Sequence, residues 1–96
     1  MNPLVMVHGF MGGSDQWDQQ SEIGKKRELV CVDLPGFGRN AHMLARDSIS
    51  GFATWVLEEL ERQSVQRFDL LGHSMGGMVV QDMVRQASKR VDRLIL

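Results

Sequence analysis

The sequence predicts an α/β fold with a mostly parallel sheet and helices on both faces. Three observations carry this. Short apolar runs without polar alternation recur at Leu4–Val7, Leu29–Asp33 and Phe68–Leu71, as expected of strands covered on both faces. Each of these runs ends in a glycine-containing turn. Amphipathic segments of helical period separate the runs, and strands alternating with helices of this size imply right-handed crossovers between parallel strands. The expected order is β-α-β-α-β-α-β.

The first strand, Leu4–Val7, stops at His8-Gly9. After the loop Gly12-Gly13, Ser14 is an N-cap, Asp15 sits in the first turn and Trp17 anchors a helix that frays by Gly24. Lys25-Lys26-Arg27 reads as that helix's solvated end, where cations suit the dipole. The second strand carries Cys31 as a small buried residue and ends at the turn Leu34-Pro35-Gly36-Phe37-Gly38. Residues 39–47 show no period and read as surface loop.

Ser48 or Ser50 caps the next helix, whose buried face is Phe52, Ala53, Val56, Leu57 and Leu60. Glu58, Glu59, Glu61 and Arg62 form its wet side. The third strand leads through Gly72-His73-Ser74-Met75-Gly76-Gly77 straight into a helix with the row Met75, Val79, Met83, Ala87, widened by Val80 and Val84. A fourth strand begins at Arg93.

Length and composition set bounds. With 96 residues, 43% hydrophobic and 24% charged, the chain is globular and makes one domain or a portion of one. A net charge of −1 argues against nucleic acid or an anionic membrane as partner. One cysteine allows no internal disulfide. Leu4–Val7 is too short for a signal peptide or a membrane span, so the expected location is cytoplasmic. No metal or cofactor is expected. Cys31, His8, His42 and His73 lack ligand spacing, and Gly36-Phe37-Gly38-Arg39-Asn40-Ala41 matches a dinucleotide fingerprint in letters only, because no helix is expected before Ser48.

The chemistry-bearing signal is Gly72-His73-Ser74-Met75-Gly76, a G-x-S-x-G between an apolar strand and a helix. A reversal within so few residues holds the serine strained and exposed above the C-terminal sheet edge. Gly72 and Gly76 are needed because side chains there would meet the neighbouring strand and helix. At the helix N-terminus the Met75 N–H is free to donate to a developing oxyanion. The alternative is that Ser74 is only a helix N-cap. His8-Gly9-Phe10 adds a second loop, in which Gly9 permits a sharp turn and the Phe10 N–H supplies the second oxyanion donor. Otherwise it is a strand-ending turn with His8 bonded to local backbone.

Val7-His8-Gly9-Phe10, Val32-Asp33-Leu34-Pro35-Gly36-Phe37-Gly38 and Leu70-Leu71-Gly72-His73-Ser74-Met75-Gly76-Gly77 together resemble the α/β-hydrolase family, in its order and over essentially the whole chain. The resemblance implies Ser74 as nucleophile, with the N–H groups of Phe10 and Met75 as oxyanion hole. Asp33 matches a structural turn residue. The family places an Asp or Glu and then a His after the nucleophile, whereas only Asp82 and Asp92 follow Ser74 here, and no histidine does. Adjacent side chains on a tight turn diverge, so His73 is expected beside the elbow or lining the pocket, with Met11 as another lining residue. His42 receives no role. The family also has two strands before the one ending in His8-Gly9, where only Met1-Asn2-Pro3 stands here.

Residues 1–96 are thus expected to form the N-terminal portion of a single hydrolase domain. The remainder, as continuation or second chain, would bring the acid and His, and the isolated chain would leave an apolar edge at Arg93–Leu96 and an exposed apolar patch on the Met75–Ala87 helix. The implied activity is acyl-transfer hydrolysis of a small or medium ester, thioester or related carbonyl substrate. The runners-up are a lyase or C–C bond hydrolase similar to the lyases of menaquinone synthesis, and a non-catalytic ligand-binding relative.

Overall fold

The computed structural model describes residues 2–9, 28–46 and 48–96. Its four strands are β1 (Leu4–Val7), β2 (Leu29–Val32), β3 (Phe68–Gly72) and β4 (Val91–Ile95). All pair in parallel, in the order β2-β1-β3-β4. Strand β1 is central and buried on both faces. Val5 and Val7 enter the main core, and Leu4 and Met6, which point the other way, are buried too. This is the condition that its unalternating sequence predicts. Cys31 lies half-buried on β2, its thiol 3.9 Å from the Met6 sulfur.

Helix α1 (Ile49–Arg62) starts where Ser48 accepts a hydrogen bond from the Gly51 N–H at 3.0 Å. Phe52, Ala53, Val56, Leu57 and Leu60, the face read from the sequence, are all buried. Helix α2 (Met75–Ala87) follows β3 directly. The connections β2→β3 and β3→β4 cross the sheet in the same direction, so right-handed crossovers put α1 and α2 on one face, where they pack against each other.

Polar groups hold the outer seam of this pair. Thr54 donates to Gln86 and Gln86 to Asp82. The guanidinium of Arg85, bonded to Asp82, and then the Gln86 amide hold that carboxyl down at about 2.

Three expectations shift. The apolar arc of α2 does not form an exposed patch. Val79, Val80 and Met83 are fully buried, and Met75, Val84 and Ala87 pack on the core, because α1 offers a matching apolar face. Among the described residues the exposed large apolar side chains are Leu44, Met78 and, at the β4 edge where the sequence predicts apolar exposure, Leu94, Ile95 and Leu96. Strand β4 begins at Val91, two residues early, and the expected loop at 39–47 opens with a 3-10 turn, Gly38–Asn40. The proposed helix from Ser14 through Trp17 to Gly24 and the run Lys25-Lys26-Arg27 lie outside the described residues. Among the described residues no helix is long and apolar enough to cross a membrane.

Candidate active site

Strands β1 and β3 are neighbours in register, Val7 opposite Gly72, yet the chain leaves β1 toward β2 and leaves β3 toward β4 on the other side. The crevice outside the carboxyl ends of two such strands is where open α/β sheets bind ligands. Both sequence motifs end there. The His73 N–H donates to the Val7 carbonyl at 3.2 Å, continuing the ladder one residue past β3.

The chain then reverses. The Gly76 N–H returns to the His73 carbonyl at 2.9 Å, and the first central residue of this turn, Ser74, has φ 58° and ψ −120°. These are the angles of the first central position of a II′ turn, which glycine dominates. A serine there stores of the order of 1–3 kcal/mol of strain. The Ser74 side chain makes no cap hydrogen bond to α2 and the residue is exposed. A capping role is therefore not what Ser74 performs. The Gly77 N–H bonds the Ser74 carbonyl, while the Met75 N–H enters neither turn bond.

Close approach explains the glycines. A Cβ on Gly72 would stand 2.4 Å from the Gly76 carbonyl oxygen, and one on Gly76 would stand 2.1 Å from that of Val7. The elbow is thus pressed against both its own helix and the end of β1. Gly9 brings the β1 loop to the serine: a Cβ there would lie 2.9 Å from Ser74 Cβ and 3.4 Å from Ser74 Oγ. Phe10 and Met11, read as oxyanion donor and pocket lining, fall outside the described residues.

The histidines divide. His73 is exposed next to Ser74. His8 is fully buried, its Nε2 accepting from the Leu34 N–H at 3.0 Å and its Nδ1 lying 2.8 Å from the Gly9 carbonyl oxygen. The bond to Leu34, 26 residues away, had no local sequence signal. Asp33 is buried in the same turn, with Arg39 bonded to its carboxylate at 2.9 Å and Asn40 to its carbonyl. The Gly36–Ala41 segment closes on itself through Gly36 N–H to Asn40 O.

Among the described residues no three His, Cys, Asp or Glu side chains gather to hold a metal. A cleft of about 540 Å³ runs along the outer edge of β2 between Val30, Arg39 and Trp55. Ser74 does not line it.

The family model for the alpha/beta hydrolase fold matches residues 2–96. The chain belongs to the α/β-hydrolase family.

It is 36% identical over 95 residues to the dihydrolipoyllysine-residue acetyltransferase component of the acetoin cleaving system of Pseudomonas putida, covering 98% of this chain and 26% of that protein. It is 30% identical over 93 residues to the 2-succinyl-6-hydroxy-2,4-cyclohexadiene-1-carboxylate synthase of Klebsiella pneumoniae, covering 97% and 36%. Among solved structures, Est816, an N-acyl homoserine lactone degrading enzyme, superposes with a TM-score of 0.89 at 28% identity, over 100% of this chain and 38% of that one. The chain thus spans roughly a quarter to two-fifths of these three proteins.

Proposed function

We propose that this α/β-hydrolase segment carries the nucleophile and oxyanion hole of a serine hydrolase that acts by acyl transfer on a small or medium ester, thioester or related carbonyl compound. The observation that carries this reading is Ser74: exposed, held at φ 58°, without a cap bond, at the mouth between β1 and β3. Strain of this kind persists only where surrounding structure enforces it, and here Gly72 and Gly76 let it do so.

In the reaction, Ser74 Oγ adds to the substrate carbonyl carbon as its proton passes to a base. The carbonyl oxygen becomes an oxyanion facing the Met75 and Phe10 N–H groups and the positive end of α2. Collapse expels the protonated alcohol or thiol and leaves an acyl-serine. Water then repeats the cycle and releases the acid. The base and its carboxylate partner are a late His and an Asp or Glu outside these 96 residues. His8 is committed to Leu34 and Gly9, and His73 sits beside the serine on the same turn.

The synthase of Klebsiella pneumoniae favours a second reading, a lyase or C–C bond chemistry on the same scaffold. A protein that only binds its ligand is a third. Pre-steady-state kinetics with nitrophenyl acetate separate them. The complete protein that carries this segment is expected to show a burst stoichiometric with enzyme, the acyl-serine forming faster than it is hydrolysed, and the 96-residue chain alone to show none. Absence of both burst and steady turnover in the complete protein would remove the hydrolase reading.

A further inference from the structure

The first turn of α2 is Met75-Gly76-Gly77-Met78, and three of these four residues are engaged. Met75 packs on the core. Gly76 is pressed against the end of β1, and a Cβ on Gly77 would meet Leu96 Cδ2 at the end of β4. The two glycines carry no side chain, so of the four it is Met78 that presents a long side chain outward, 53% exposed.

Met78 stands four positions after Ser74, which puts the two on one face of the helix. The Cα–Cβ bonds of a helix tilt toward its N-terminus, and a long side chain covers the turn before its own Cα. Met78 therefore reaches toward the turn that has the nucleophile at its head.

The same face continues as a groove. Met78 lines a cavity of about 300 Å³ together with Ile49, half-buried at the start of α1, and with Gln81, Asp82 and Arg85 further along α2. On α2 the end of this groove nearest Ser74 is apolar, and Ile49 adds a second apolar side chain from the neighbouring helix. Farther on the lining is polar, with Arg85 bonded to Asp82 at 2.9 Å. From Ser74 to Gln81 is about 10 Å along the helix axis. An aliphatic arm of short to medium length fits the apolar end, whereas a longer one would have to lie against an ion pair. An unbranched, polarizable thioether also adapts its shape to what it covers.

We propose that Met78, with Ile49, forms an apolar wall along which the aliphatic arm of the substrate lies while Ser74 attacks its carbonyl, and that this wall sets the preferred chain length. The inference rests on the acyl-transfer reading of Ser74. An aliphatic arm belongs either to the acyl group or to the alcohol, and the choice of esters separates the two.

Two substitutions at this exposed helix position test the wall. Met78→Leu keeps it apolar, Met78→Gln keeps its length and makes it polar, and both residues are good helix formers. In the complete protein, kcat/KM is measured on nitrophenyl acetate, butanoate and hexanoate, and on the acetates of ethanol, butanol and hexanol. Full burial of one methylene is worth about fourfold, so wild type and Met78→Leu are expected to gain roughly tenfold or more from the shortest to the longest member of one series. Met78→Gln is expected to lose most of that gain, and the series that responds identifies the arm.

A Met78→Gln protein with the wild-type ratio in both series overturns the proposal. So does equal loss in Met78→Leu and Met78→Gln, or a wild type without chain-length dependence in either series. Ser74→Ala run alongside keeps the two claims apart. If it turns over esters as wild type does, or wild type turns over none, the acyl-transfer reading has failed and the wall falls with it. If Ser74→Ala is inactive while Met78→Gln keeps the wild-type ratio, only the wall has failed.

Discussion

Replacing Ser74 with alanine in the complete protein is expected to lower kcat on an activated ester by about five to six orders of magnitude. That is the scale on which removal of a triad nucleophile acts, with a residue of catalysis left to oxyanion binding. The glycine variant sharpens the test. Ser74 occupies backbone angles that glycine adopts without cost, so Ser74→Gly should be as inactive as Ser74→Ala yet melt at a higher temperature than either Ser74→Ala or wild type. Steady-state kinetics paired with thermal unfolding check both halves. A Ser74→Gly protein that is less stable than wild type would mean that the turn is not strained as described.

The second large effect concerns folding. Gly76→Ala would place a Cβ 2.1 Å from the Val7 carbonyl oxygen and 2.6 Å from that of His8, both backbone atoms of the central strand's end. Neither can yield without moving β1 or lifting α2 from the sheet. A loss of about 3 kcal/mol or more is expected, the upper end of overpacking effects and a large part of a typical domain's stability. Gly77→Ala is the control one position on. There the nearest atom is Leu96 Cδ2 at 3.7 Å, ordinary contact, and a helix-interior alanine should match or exceed glycine. Urea unfolding of the two variants in the complete protein measures the contrast. Similar midpoints would contradict the tight seating of the elbow.

The architecture was legible because its signals are local. Leu4–Val7 reads as a strand covered on both faces since nothing in it alternates, and Met75–Ala87 reads as a helix since its apolar residues recur every fourth position. The buried face of α1 follows from the same kind of pattern, which leaves Ser48 and Ser50 both open as its cap; the structure places the cap at Ser48. The turn at Ser74 was legible from its glycines, whose absent side chains are themselves the information.

What the sequence concealed is long-range. No local pattern links His8 to the Leu34 N–H, because the bond depends on β1 and β2 being sheet neighbours. The burial of α2's wide apolar arc depends likewise on α1 lying beside it, and an exposed patch was expected where a helix–helix contact exists. Strand β4 begins at Val91 and not at Arg93 because Val91 pairs with Phe68 of β3, a partner 23 positions earlier that no local pattern names.

The central claim is that Ser74 is a reactive nucleophile. A fluorophosphonate probe tests it most directly, since the probe phosphonylates a serine activated by a neighbouring base and served by an oxyanion hole. Peptide mapping of the labelled complete protein should find one adduct per chain, on Ser74, and none on the other serines or after heat denaturation. Turnover of esters by a protein whose Ser74 stays unlabelled, or an adduct on a different serine, would contradict the account.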